Sequence, residues 1–172
     1  YLDFAKIDAG YLRLECQNAD LRPIVEAGLK LGRMQAQSKK QTVAVELPDH
    51  PVYAYVDAER IKQVVDNLFS NAVKYTAEGG QITVRLGVEG TSAVLRVSDT
   101  GQGITKSQME VLFTKYHRVP GETARRIQGT GLGLFIVKQT VEAHGGSVAV
   151  ESEGLPGNGT TLIVRIPLAQ MP

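Results

Sequence analysis

Cysteine is almost absent: Cys16 stands alone in 172 residues. That excludes an internal disulfide and a cysteine metal cluster, and it fits a reducing compartment. Charge of one sign is not in surplus either, with Lys+Arg 19 against Asp+Glu 18. Nothing in that balance argues for a nucleic acid or a membrane surface as partner. No apolar run approaches the roughly 18 residues of a membrane helix, and the opening residues lack a signal-peptide layout. There is no internal repeat and no low-complexity segment. The three histidines have no neighbours that would make them metal ligands or catalytic bases. His50 falls in a turn and His117 in a basic loop, while His144 precedes two glycines at a helix end, where its charge suits the dipole.

What is present is an ordinary globular composition, 42% hydrophobic and 22% charged, sized for one domain with at most a short appendage. The chain opens in mid-pattern at Tyr1 without an initiator Met, as expected of part of something longer. Leu2, Phe4, Ile7 and Tyr11 are spaced roughly as on a helix that stops near Gly10, a piece too short to be stable alone. Asp20 is placed to cap a helix over about 21–38, with Pro23 in its first turn and Ile24, Val25, Leu29, Leu31 and Met34 as its apolar face. Alternation predicts strands at Val43–Leu47 and Val52–Val56, separated by the turn Pro48-Asp49-His50-Pro51. It predicts a hairpin from Ile82–Val88 and Ala93–Val97 around Glu89-Gly90, and two more strands at Ser147–Val150 and Thr161–Ile166. Strands and helices do not alternate regularly. The expected fold is therefore an α/β sandwich with one mostly antiparallel sheet and helices on one face.

The most informative helix spans residues 57–76. Ile61, Val64, Val65, Leu68, Phe69, Ala72 and Val73 recur at i, i+3, i+4, i+7 spacing, which is an apolar face packed on a core. Asp57 is a good N-cap, and Glu59 suits the positive helix start. At about 100° per residue, Asn67, Asn71 and Lys74 fall within roughly 60° of one another, on a stripe bordering the apolar face. A carboxamide oxygen can ligate Mg²⁺ without adding charge, and a lysine is a point charge for phosphate. On this helix alone, the two amides serve equally well as solvated boundary residues.

Two glycine-rich stretches alter that balance. A strand ending at Val97 runs into Ser98-Asp99-Thr100-Gly101-Gln102-Gly103-Ile104. A carboxylate at a strand end can accept from a ligand amine, and glycines let the backbone approach a flat ring. A plain Asx turn is the competing account. Gly129-Thr130-Gly131-Leu132-Gly133-Leu134 opens an apolar helix, so backbone N–H groups and a positive dipole would face an anion. The spacing is not that of the dinucleotide fingerprint, and no P-loop occurs. Between them lies an irregular stretch carrying Lys115, Arg118, Arg125 and Arg126, which reads as a lid or as a solvated basic loop.

Assembled, these motifs resemble the catalytic, ATP-binding domain of the bacterial sensor histidine kinases, over residues 1 to 168. Asn67-Leu-Phe-Ser-Asn71-Ala-Val-Lys74-Tyr75-Thr is similar to that family's asparagine box, and Asp99-Thr-Gly101-Gln-Gly103-Ile104 to its first glycine box. Phe113 to Arg118 resembles its phenylalanine box, Gly129 to Leu134 its second glycine box, and Gly157-Asn-Gly159-Thr160 its last.

The resemblance implies a Bergerat-type fold, a two-layer α/β sandwich whose mixed, mostly antiparallel sheet has five strands. It implies ATP and Mg²⁺ as cofactors. Asn71 would ligate the metal with Asn67 assisting, Lys74 would contact phosphate, Tyr75 the base, and Asp99 the adenine amine with Thr160 nearby. Gly101, Gly103 and Ile104 would line the base site. Gly129, Thr130, Gly131, Leu132, Gly133 and Leu134 would hold phosphates, which Lys115, Tyr116 or Arg118 could also reach. Related ATPases of the superfamily carry a glutamate one turn before the metal asparagine, and it activates water. Here that position is Asn67, which has no useful basicity, and this favours phosphoryl transfer over hydrolysis.

The resemblance further implies that residues 1–16 end an upstream dimerisation helix and hinge, and that 17–172 form the catalytic domain. The phosphoacceptor histidine would lie upstream, outside this chain. The chain by itself would be monomeric, and the full-length protein a homodimer partnered by a response regulator. The location would be cytoplasmic, with anchoring of the full-length protein in the inner membrane left open. Rival readings are a hydrolysing ATPase of the same superfamily, a non-catalytic interaction module and, on the glycines alone, a flavin- or NAD-binding oxidoreductase.

Overall fold

The structure is a computed structural model that describes residues 12–115 and 131–170. Five strands form the main sheet: β2 (Thr42–Glu46), β4 (Gln81–Glu89), β5 (Ser92–Asp99), β7 (Thr160–Pro167) and β6 (Ser147–Ser152), in the order β2-β4-β5-β7-β6. Only β2 runs parallel to its neighbour, β4; the other three pairings are antiparallel. The expected mostly antiparallel, five-stranded sandwich is therefore what the chain forms. The hairpin closes on Gly90 and Thr91, with Glu89 opposite Ser92, and Gly90 takes φ +60° as a two-residue loop requires.

Two long helices, α1 (Leu21–Ser38) and α2 (Ala58–Tyr75), pack against the sheet with α4 (Gly133–Ala143). Asp20 caps α1 through the N–H of Arg22, and Asp57 caps α2 through the N–H of Arg60. All seven predicted apolar positions of α2 are buried, with Leu68 and Phe69 at zero exposure. The helix is the centre of the core because sheet, α1 and α4 all meet it.

On α1 the sequence reading needs correction. Ile24, Val25 and Leu29 are buried, but Leu31 is 61% and Met34 69% exposed. The face turned to α2 instead carries Gly28, Gly32 and Ala36. A Cβ on Gly28 would lie 2.6 Å from Val65 Cβ, and one on Gly32 would overlap the Phe69 ring. The two helices approach so closely that only small residues fit between them, which hydrophobicity counting cannot detect.

The strand expected at Val52–Val56 forms just ahead of α2. This strand, β3 (Tyr53–Val56), stays outside the main sheet and pairs antiparallel with β1 (Gln17–Asp20). β1 went unread because Gln17-Asn18-Ala19-Asp20 carries neither β-branched residues nor alternation. A short helix, α3 (Lys106–Val111), opens on a capping box between Thr105 and Gln108, just ahead of the irregular basic stretch.

Candidate nucleotide site

The C-terminal end of α2, the β5 end and the start of β7 converge on one cleft, lined by Asn71, Tyr75, Asp99, Gly103, Ile104, Leu134 and Thr160 among others. Seven of the residues singled out from sequence thus share one surface, although they come from four stretches of chain.

Asp99 is its polar anchor. Among the described residues its two bonds fall on one oxygen: Oδ1 accepts from the Gly101 N–H at 2.9 Å and the Thr160 N–H at 3.2 Å. Burial raises the carboxyl above the ordinary range, against the pull of those two donors. The loops behind Asp99 are tied together. Gly157 N–H donates to Gly101 carbonyl oxygen at 2.9 Å. Ser152 Oγ accepts from the N–H of Ile104 at 2.9 Å and donates to the Gly159 carbonyl oxygen at 2.8 Å. Gly103, at φ +73°, would place a Cβ 3.1 Å from Ser152 Oγ and from the Leu155 backbone nitrogen, a tight contact added to left-handed strain.

Asn67 and Asn71 are both half-buried. No hydrogen bond engages either side-chain amide among the described residues. Asn71 faces the cleft, and Asn67 faces the beginning of α4, where a Cβ on Gly133 would stand 3.5 Å from Asn67 Oδ1. Among the described residues no side-chain hydrogen bond caps that helix start, which leaves its first N–H groups to be met there by something else. Lys74 is half-buried in the field of Asp66, whose carboxyl is raised by burial and drawn back by Lys74 and Lys62. Gly101 is buried behind Asp99, Leu132 is buried under the α4 start, and Gly131 precedes it at φ +71°. Lys115 Nζ lies 5.4 Å from the centre of the Phe135 ring, outside the cleft lining. Tyr116, Arg118, Gly129 and Thr130 lie outside the described residues, as does most of the basic stretch.

Against known proteins, residues 56–170 match the family described as histidine kinase-, DNA gyrase B-, and HSP90-like ATPase. The chain belongs to that ATPase family.

Within the family its relatives are sensor kinases. It is 38% identical over 168 residues to the sensor histidine kinase TmoS of Ectopseudomonas mendocina, covering 97% of this chain and 17% of TmoS. It is 42% identical over 123 residues to the sensor histidine kinase WalK of Bacillus subtilis, covering 70% of this chain and 20% of WalK. The chain thus spans about a fifth of the length of these relatives. The mycobacterial sensor histidine kinase MprB superposes with TM-score 0.80 at 28% identity, over 90% of this chain and all of that one. Full-length ShkA, solved in complex with AMPPNP, superposes with TM-score 0.83 at 27% identity, over 99% of this chain and 35% of ShkA. The resemblance read from the five boxes holds: this is the catalytic, ATP-binding domain type of the bacterial sensor histidine kinases.

Membership in the ATPase family leaves some of the cleft unread. Gln102, Leu112 and Leu162 also line it. Leu112 caps α3 and is buried; the signal available was the spacing of Met109, Leu112 and Phe113, which is apolar at helical intervals. Ser152 carried no signal at all. His144 takes a role other than the one expected. Its Nε2 accepts from the Asp57 N–H at 3.1 Å while Nδ1 meets the Thr140 carbonyl oxygen at 2.7 Å. The ring thereby ties α4 to the start of α2.

Proposed function

We propose that this chain binds ATP with Mg²⁺ and supplies the γ-phosphoryl group to a histidine on an upstream domain, as the kinase portion of a two-component sensor. The observation that carries this reading is the pair Asn67 and Asn71. They lie one turn apart on α2, Asn71 facing the cleft and Asn67 the start of α4, and both amides are uncommitted within the described residues. Asn71 is the metal ligand and Asn67 its assistant. A single neutral oxygen suits Mg²⁺, which fills its shell mainly with phosphate and water. Among the described residues no group of three or more His, Cys, Asp or Glu is placed to hold a metal by itself, so the nucleotide brings the remaining ligands. When bound, the metal supplies charge neutralisation for the phosphates.

Asp99 receives the adenine amine, Tyr75, Gly103 and Ile104 pack the base, and Thr160 stays beside Asp99. Gly101 stays with Asp99 at the base, and Lys74, with Gly131, Leu132, Gly133 and Leu134, serves the phosphate end, where the start of α4 meets an anion. Lys115, Tyr116, Arg118, Gly129 and Thr130 complete the phosphate contacts in this reading. Asn67 cannot abstract a proton from water, so positioning and charge stabilisation favour transfer over hydrolysis.

Residues 1–16 belong in this reading to the end of an upstream dimerisation helix and hinge, and residues 17–172 to the catalytic domain. The pairing of β1, from Gln17, with β3 supports that boundary. The partners are the phosphoacceptor domain and a response regulator. The chain by itself is monomeric, the whole protein a homodimer, and the site of action cytoplasmic. Among the described residues no helix is long and apolar enough to cross a membrane.

The test is calorimetric titration with ATP, with and without Mg²⁺, alongside phosphate release. Binding with negligible turnover supports a kinase domain parted from its histidine. Sustained hydrolysis supports the ATPase alternative, and absence of binding removes the reading.

A further inference from the structure

The C-terminal turn of α2, which carries Tyr75 and ends the helix that presents Asn71, is held by Lys39, the residue that caps the end of α1. Lys39 Nζ donates to the carbonyl oxygens of Val73 at 2.8 Å, Thr76 at 2.8 Å and Lys74 at 3.3 Å. Gln41 Nε2 adds bonds to the Val73 and Thr76 oxygens at 3.0 and 2.8 Å. The orphan carbonyls of a helix end normally meet water; here one ammonium gathers three of them. Gln41 Oε1 and Thr76 Oγ1 are also buried without a hydrogen-bond partner among the described residues, so the oxygens around this turn are not all met. The backbone delivers Lys39 by a fixed route. Gln41 N–H bonds the Ala36 carbonyl oxygen, Lys40 N–H bonds that of Gln37, and Lys40 takes φ +53°, which turns the chain back towards α2. From this turn the coupling to the cleft is short. Tyr75 and Asn71 line the cleft, and a Cβ on Gly101 would stand 2.6 Å from the Tyr75 carbonyl oxygen.

We propose that Lys39 is a positioning residue for the nucleotide cleft, a tethered cation filling a cage of main-chain oxygens so that Asn71 and Tyr75 are held ready. The cage is one that a free ammonium or potassium ion, of similar size and charge, can occupy once the side chain is removed. The effect on nucleotide rests on the function proposed above; the cation cage does not.

The experiment is Lys39→Ala in the 172-residue chain, compared at equal ionic strength in ammonium, potassium and tetramethylammonium chloride. Two quantities are read: the thermal midpoint without nucleotide, and ATP affinity with Mg²⁺. Lys39→Ala is expected to bind ATP about tenfold more weakly in tetramethylammonium, and near the wild-type value in ammonium or potassium. Its midpoint should rise with the small cations, whereas wild type should not discriminate among the salts. Lys39→Met, whose stem fills the space without charge, should be weakened in every salt. Wild-type affinity in Lys39→Met, or a Lys39→Ala loss of folding or binding that no small cation reverses, overturns the proposal. A wild-type chain that binds no ATP overturns the nucleotide reading instead, and the salt dependence of the Lys39→Ala midpoint still decides the cage.

Discussion

Gly159 lies directly against Asp99: a methyl group added to Gly159 would overlap the Asp99 carbonyl oxygen and stand 2.8 Å from its Oδ1. Gly159 also holds φ +64°. The last glycine-rich turn is therefore pressed on the carboxylate that anchors the cleft, and the N–H of Thr160 reaches Asp99 Oδ1 only because Gly159 allows it. Gly159→Ala is expected to destabilise the domain by about 2–4 kcal/mol, combining left-handed strain with overpacking. Chemical denaturation would measure this. A loss below about 0.5 kcal/mol would show that the turn relaxes freely.

Asp99→Asn separates stability from binding. Burial raises the folded carboxyl above its unfolded value, so between those two pKa values the folded state holds more protons than the unfolded one. Stability from this group is then present below the unfolded pKa and is lost as pH rises through the folded pKa. As pH rises above the unfolded pKa, the raised Asp99 carboxyl is thus a growing burden on the free protein. Asn keeps an oxygen for the Gly101 and Thr160 donors and removes the charge. Asp99→Asn is expected to raise the melting temperature near pH 7, with the gain shrinking as pH falls. Adenine nucleotide binding should weaken by about 1.5–3 kcal/mol through loss of a charge-assisted hydrogen bond. Paired melting curves and titrations give both quantities, and unchanged affinity removes Asp99 from the adenine site.

Asn71→Ala should leave the fold intact, since the side-chain amide bonds nothing within the described residues. It should abolish the Mg²⁺-dependent tightening of ATP binding while leaving metal-free binding close to wild type. Titration with and without Mg²⁺ reads this directly. Survival of the metal dependence would pass the ligand role to another residue.

Lys40 is the non-glycine residue at positive φ among the described residues, at φ +53° where α1 ends. Lys40→Gly relieves the left-handed penalty at a helix terminus that glycine normally occupies. It is expected to stabilise the domain by about 0.5–1 kcal/mol in equilibrium unfolding, after the extra chain entropy of glycine is subtracted. Destabilisation would mean that the exposed Lys40–Glu78 ion pair, at 3.8 Å, outweighs the strain.

Much of this protein was legible in its residues alone, because the relevant signals are local and periodic. Helix α2 declares its buried face at 3.6-residue spacing and its start with Asp57. The hairpin of β4 and β5 declares itself by alternation around Gly90, and the cleft by an asparagine pair and three glycine-rich turns. What periodicity could not supply was any quantity set by contact between distant segments. Leu31 and Met34 satisfy an apolar pattern yet face outward, because Gly28 and Gly32 let α1 sink onto Val65 and Phe69. β1 exists because β3 stands beside it, since a strand without propensity needs a partner to complete its hydrogen bonds. Ser152, His144 and Lys39 look like ordinary polar residues in the chain. Only the folded structure brings each to the backbone groups it serves, where burial makes an unpaired carbonyl or N–H costly and so fixes the side chain in place.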